Sequence, residues 1–145
     1  MSPIPAYRRF VTDSRQTLEP HTWHSVEFDR RDDAPSDDGS EVAGRHEAGG
    51  TLYDLSVGVA LTNITPGSDV HLRAVDFAPD GQGGWRTHRE LPEEVTAHAV
   101  GHGRFTYTWK DALPPGHRLE FRIAQFGDAD AHLVSAEAVV FLWPR

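Results

Sequence analysis

Cysteine is absent from the 145 residues, and methionine occurs once, at position 1. The first absence excludes a disulfide framework and any thiolate nucleophile or thiolate metal site, so the fold can stand in a reducing or an oxidising compartment. Also lacking is any run of about 18 apolar residues that could span a bilayer. The N-terminal MSPIPAYRRFVTDS has none of the apolar core of a secretory signal. The expectation is a soluble, cytoplasmic product without a membrane partner, with signal-independent export left open. Basic charge is scarce, with 14 Lys and Arg against 22 Asp and Glu and a formal net charge of −8. Such a chain, its arginines dispersed, repels a phosphate backbone, and no nucleic-acid partner is expected. Helical periodicity is lacking as well. LPEEVTAHAV comes closest to an i, i+3, i+4, i+7 pattern, but its Val95, Ala97 and Ala99 alternate as in a strand.

What the chain does have is alternation. In GTLYDLSVGVAL, Tyr53, Leu55, Val57, Val59 and Leu61 fall on one parity and Asp54, Ser56, Gly58 and Ala60 on the other, which describes a strand with one apolar face. Phe105, Tyr107 and Trp109 alternate with threonines and Lys110. Leu119, Phe121 and Ile123 alternate with Glu120, Arg122 and Ala124. DALPPGH between these two runs is a turn, because Pro114 and Pro115 remove ladder donors and Gly116 frees the backbone; the pair reads as antiparallel. Shorter strands are expected over Thr22 to Phe28, over Val70 to Phe77, and over Trp85 to Leu91 after the turn PDGQGG. The length suits one domain, residues 1–145, that buries roughly 70% of its unfolded-chain surface. The predicted class is all-β, a two-sheet antiparallel sandwich of about ten strands.

Two segments break the rhythm. Residues 30–50, RRDDAPSDDGSEVAGRHEAGG, are acidic, glycine-rich and poor in large apolar groups; this predicts a long exposed loop outside the core, with one short strand near Glu41 to Arg45. AEAVVFLWPR is the opposite, since Val139 to Trp143 are apolar on both parities. A strand apolar on both faces is covered on both faces, and a partner chain is the simplest second cover.

The order of these segments resembles the C1q/tumour necrosis factor jelly-roll superfamily, in a bacterial form. The likeness rests on the aromatic-bearing first strand AYRRF, the passage QTLEPHTWHSVEFD with Phe28, and the long loop. It rests also on the Tyr-centred GGTLYDLSV, the unit FTYTWKDALPPGHRLEFRIAQF and the apolar final strand, and so covers nearly the whole chain. The family's glycine, tyrosine and phenylalanine at alternate positions survive here as Tyr53 alone, with Thr51 and Leu55 in the flanking places. The resemblance implies a ten-stranded sandwich that trimerises through the sheet holding its first, last and tyrosine strands. Phe10, Tyr53, Phe141, Leu142 and Trp143 are then the expected interface. It implies no particular ligand, because members share architecture while their partners differ.

The chemistry-bearing patterns are sparse. His98 and His102 have i, i+4 spacing, but their segment is strand-like and lacks the glutamate of a zinc hydrolase, so exposed histidines are expected. His21 and His24 straddle a strand. The His-x-His pair with a nearby glutamate that cupins use is missing. Asp32, Asp33, Asp37, Asp38 and Glu41 lie in the polar loop, where solvated carboxylates make poor general acids. Asp128 and Asp130 are a weak calcium pattern, read first as a turn between strands. No serine sits in a nucleophile elbow, and Gly49-Gly50 and Gly83-Gly84 precede strands, so they are turns and not phosphate cradles. Phe105, Tyr107 and Trp109 read as sandwich core, while Trp23 and Trp85 are the better candidates for exposed aromatics. No cofactor, metal or catalytic residue is expected. The leading expectation is a non-enzymatic trimeric interaction module that binds an unidentified protein or other macromolecule. The alternative is a small-molecule-binding or catalytic β-barrel with an aromatic-lined cavity.

Overall fold

Alternation in sequence becomes alternation in burial. Tyr53, Leu55, Val57, Val59 and Leu61 are each at most 4% exposed, while Asp54, Ser56, Gly58 and Ala60 stay accessible. The computed structural model describes residues 6–31, 34–35, 39–43, 51–97 and 100–144. Among them there are thirteen strands and no helix. The first six are β1 (Ala6–Thr12), β2 (Gln16–Leu18), β3 (His24–Ser25), β4 (Arg30–Arg31), β5 (Ala34–Pro35) and β6 (Glu41–Ala43). They are followed by β7 (Thr51–Thr62), β8 (Asp69–Pro79), β9 (Trp85–Glu90), β10 (Glu94–Ala97), β11 (Gly103–Leu113), β12 (Arg118–Gln125) and β13 (Ala131–Pro144).

One sheet runs β11-β7-β13-β1-β4-β5, with β2 also on β13. The other runs β10-β8-β12-β3, with β6 on β12 and β9 on β8. The ladders are antiparallel. The long strands β7, β8, β11, β12 and β13 alternate between the sheets, so their pairings with one another join segments remote in sequence; this is a jelly-roll sandwich. The core between the sheets includes Phe10, Leu18, Phe28, Leu55, Tyr107, Phe121 and Leu142. Phe10 meets Phe28 at 6.0 Å between ring centroids, and Tyr107 meets Phe121 at 5.7 Å.

Three sequence expectations change. The strands around Pro114-Pro115-Gly116 do not pair: β11 pairs with β7 and β12 with β8, so this turn carries the chain from one sheet to the other. Proline and glycine report a reversal of direction, and nothing in them decides whether the departing strand stays in the same sheet. By contrast PDGQGG closes a true hairpin between β8 and β9, with Gly81 and Gly83 at φ of 79° and 84° and Asp80 Oδ1 accepting from Gln82 N and Gly84 N.

The second change lies within residues 30–50, where β6 is not exposed. Val42 and Ala43 belong to the core cluster, and β6 lies against β12. A three-residue strand carries too few apolar positions to stand out from an acidic neighbourhood. The third is the run Thr22 to Phe28, of which only His24–Ser25 is strand, although Val26 and Phe28 are fully buried. Val26 N donates to Phe121 O at 2.9 Å and Phe28 N to Gly39 O at 2.8 Å, so this segment is tied down without a continuous ladder.

Candidate functional site

The strand pattern gives each sheet a second, outward face, and the two faces are built differently. On the β11-β7-β13-β1 sheet, the outward parity of β13 carries Val139, Phe141 and Trp143, that of β1 carries Tyr7, and that of β7 carries Leu52. Cross-strand register brings them together: Tyr7 pairs with Phe141, and Trp143 with Leu52. The Tyr7 and Phe141 rings lie 5.3 Å apart and those of Phe141 and Trp143 6.3 Å apart, a tilted aromatic stack. Tyr7 is 47% exposed, Leu52 46% and Phe141 38%. A recess of about 420 Å3 opens beside them between Leu52, Lys110, Asp111 and Trp143.

Toward the other end the same face turns small and polar. Gly58 and Ala60 floor a groove of about 520 Å3 rimmed by Arg9, Arg104 and Glu137. Arg9 Nη2 reaches Glu137 Oε2 at 2.8 Å there, while at the aromatic end Lys110 Nζ reaches Asp54 Oδ2 at 3.5 Å. The small residues that alternate with the core set in GTLYDLSVGVAL therefore line a concave strip.

The five expected interface residues divide by parity. Phe141 and Trp143 point outward with Tyr7 and Leu52. Phe10, Tyr53 and Leu142 are 4%, 2% and 1% exposed and pack between the sheets. Grouping the five by strand mixed two faces, because adjacent residues of one strand point oppositely. Tyr7 and Leu52 join this face only through the register, which sets Tyr7 beside Phe141 and Leu52 beside Trp143.

On the β8-β12 sheet three outward aromatics lie beneath the chain's own guanidinium groups, while Trp85 and Val95 remain 38% and 48% exposed. The Arg73 guanidinium lies 5.4 Å from the Trp23 ring, that of Arg122 5.0 Å from Phe77, and that of Arg118 5.3 Å from Trp85. Arg73 Nη1 also reaches Glu90 at 2.6 Å, and Arg118 Nη2 reaches Glu120 at 3.1 Å. Glu41, expected as a solvated loop acid, is buried 3.9 Å from Arg118 Nη1. Of the two aromatics expected to be exposed, Trp85 is 38% exposed with Arg118 over its ring, and Trp23 is half-buried beneath Arg73.

A further cluster forms where β8, β9 and the turn before β12 meet. Asp76 stands opposite Arg89 and Phe77 opposite Thr87, so His88 is the extra residue of a β-bulge in β9. His117 follows the positive-φ Gly116, and its Nδ1 lies 2.8 Å from Asp76 Oδ1. The His88 and His117 rings meet edge to face at 4.6 Å. Asp76, His88 and His117 each offer a ligating atom within 4.8 Å of the other two.

Close by, Arg89 on β9 pairs with Asp111 on β11, joining the edges of the two sheets. Burial opposes ionisation of Asp111, but Ala112 N, Trp109 Nε1 and the Arg89 guanidinium together hold its carboxyl below the usual range. Burial, reinforced by Asp111, pushes the Tyr53 phenol well above its ordinary value. Sequence inspection missed this cluster because positions 76, 88 and 117 form no short motif; only strand pairing with a bulge unites them.

The remaining candidates stay apart. His98 lies outside the described residues, as do Asp32, Asp33, Asp37 and Asp38. His102 is exposed before β11. His21 sits in a turn at φ 60°, and the His24 ring on β3 accepts from Glu19 N. Asp128 and Asp130 are exposed in the turn between β12 and β13, where Asp128 N donates to Thr65 Oγ1 and Asn63 Nδ2 donates to Asp130 O. Phe105 and Tyr107 are core residues, as read from their parity.

No protein-family model matches this sequence, and no curated protein is similar to it at a significant level. Solved structures are similar in fold. Eiger TNF from S. frugiperda matches at a TM-score of 0.58 and 15% identity, over 97% of this chain and 94% of that one. Murine APRIL matches at 0.51 and 12%, over 95% of this chain and 99% of that one. The infectious bursal disease virus VP2 subviral particle matches at 0.51 and 12%, where this chain covers 34% of that one. At these identities the likeness concerns architecture, and two of the three matches are end to end. The chain has the jelly-roll fold of TNF-like proteins.

Proposed function

We propose that the protein is a non-enzymatic interaction module that assembles as a homotrimer through the outward face of the β11-β7-β13-β1 sheet and presents its loops to another macromolecule. The observation that carries this reading is the stack of Tyr7, Phe141 and Trp143 with Leu52. Aromatic rings concentrated on one exposed sheet face, rimmed by charge, are typical of the desolvated centre of a protein interface. The face is long, continuous and shallow, with a floor at Gly58 and Ala60 over which another chain's side chains can settle. The family resemblance read from the sequence assigns self-association to this same sheet. The loops are the reading's remaining surface for a partner, since fold alone names none.

Light scattering over a range of concentrations tests the proposal. A trimer scatters as about 48 kDa, three times the chain mass of 16.1 kDa. A constant 16.1 kDa at micromolar concentration and above would overturn it.

A further inference from the structure

The Asp76–His88–His117 cluster lies away from the proposed assembly face and has chemistry of its own. Two imidazoles and one carboxylate form a donor set suited to a borderline divalent ion of the first transition row, and three protein ligands leave one position for water. Hard ions such as calcium prefer all-oxygen cages and fit this set poorly.

Three features of the geometry point the same way. First, Asp76 is a carboxylate whose side chain is 4% exposed, on the same strand parity as the core residues Leu72 and Ala74. A buried carboxylate is costly unless a cation or several donors compensate it, and the ion partner that faces it is His117, itself neutral unless protonated. Second, the bulge at His88 sets an exposed imidazole edge to face against His117, the partner of Asp76. A merely structural Asp76–His117 bond, holding the turn after Gly116, has no use for a second imidazole. Third, the ligand atoms already lie within 4.8 Å of each other. A tetrahedral ion with bonds of about 2.05 Å needs about 3.3 Å between donors. The remaining movement falls on β9, whose backbone pairs with β8 alone among the described strands.

We propose that Asp76, His88 and His117 form a site for one divalent transition-metal ion of the zinc type, which ties the edge strand β9 to β8 and to the turn preceding β12. Zinc supplies the positive charge that Asp76 faces, and it replaces the edge-to-face contact of the two rings with two metal–nitrogen bonds.

The test uses the full chain, without a histidine tag and stripped with a chelator, titrated with Zn2+ by calorimetry and with Co2+ by visible absorption. The expected result is one equivalent bound, with the absorption of a four-coordinate cobalt site and a rise in Tm. His88→Ala changes an exposed residue outside the core, so the variant folds. It should weaken binding by more than ~100-fold, since losing a ligand exceeds the loss seen for outer-shell groups. Asp76→Asn should weaken it similarly, whereas His102→Ala, on the exposed segment before β11, should leave it unchanged. If wild type binds no Zn2+, or binds it as tightly as folded His88→Ala does, the site is refuted. Loss of binding in His102→Ala equal to that in His88→Ala would refute it too. Trimer formation is read separately by light scattering, so either proposal can fail without the other.

Discussion

The two sheets meet solvent in opposite ways. The β8-β12 sheet sets cations over its outward aromatics: Arg73, Arg118 and Arg122 lie over Trp23, Trp85 and Phe77, glutamates hold two of the guanidiniums in place, and Trp85 stays 38% exposed. The β11-β7-β13-β1 sheet leaves Tyr7, Leu52 and Phe141 from 38% to 47% exposed, with no cation–π contact over the Tyr7–Phe141–Trp143 stack among the described residues. Both outward faces carry aromatics, and what differs is whether the chain sets cations over them. Arginine is suited to that task because its planar, weakly hydrated head stacks on a ring while its stem screens apolar surface. A face that lacks this cover retains the apolar surface that makes association favourable.

The largest effect should come from crossing the sheet at one position. Leu142 is 1% exposed in the core and Phe141 is 38% exposed on the outward face, although they are neighbours in β13. Leu142→Glu puts a carboxylate among apolar side chains and should cost at least about 4 kcal/mol, enough to unfold the chain. Phe141→Glu should leave β-type circular dichroism intact and lower the scattering mass toward 16.1 kDa. Phe141→Arg should do the same by a different route, giving the face the arginine lid that the other sheet already has. Assembly that survives both Phe141 substitutions would erase the functional contrast between the sheets.

An intermediate effect is expected on the covered face. Arg122→Ala uncovers Phe77 and removes the Nε bond to Ser25 Oγ, and Arg73→Ala uncovers Trp23 and leaves Leu91 O without two donors. Each should lower unfolding stability by about 1–2 kcal/mol in urea titrations. Neither should change the scattering mass of the wild-type protein at the same concentration. A shift in mass would mean that the covered face also takes part in assembly.

How far this contrast was legible beforehand depends on the kind of information each part needs. Parity is local, so the buried set Tyr53, Leu55, Val57, Val59 and Leu61 and the core placement of Phe105 and Tyr107 can be read directly. Sheet membership is not local. Pro114-Pro115-Gly116 and PDGQGG are both proline- or glycine-rich turns, yet the first changes sheets and the second closes a hairpin. The same gap hid the lids, because Arg73 and Trp23 are fifty residues apart and meet only after β8, β12 and β3 have paired. It hid the metal-type cluster more thoroughly, since His88 reaches Asp76 through a bulge that no residue pattern announces. Val42 was obscured for another reason: its acidic surroundings outweigh one buried valine in any local count.

The smallest expected effect lies where the two sheets are clasped together. Arg89 of the β8 sheet pairs with Asp111 of the β7 sheet, and Asp111 also accepts from Ala112 N and Trp109 Nε1. Its carboxyl is therefore held below the ordinary value of 3.8 in the folded protein, while the unfolded chain restores that value. Between those two pKa values the unfolded state binds more protons than the folded one, so stability rises with pH across that window. The contribution is complete above 3.8 and is lost as pH falls through the folded pKa. Because the pair is partly solvated, with side-chain exposures of 49% and 27%, its size should be a few tenths to about 1 kcal/mol. Asp111→Asn keeps one oxygen, enough for Ala112 N or Trp109 Nε1 but not both, and loses the titration. Urea unfolding at fixed protein concentration should therefore show wild type more stable than Asp111→Asn at pH 6, with the gap narrowing toward pH 2.5. A gap that is independent of pH would assign the role of Asp111 to hydrogen bonding alone and remove charge from the clasp between the sheets.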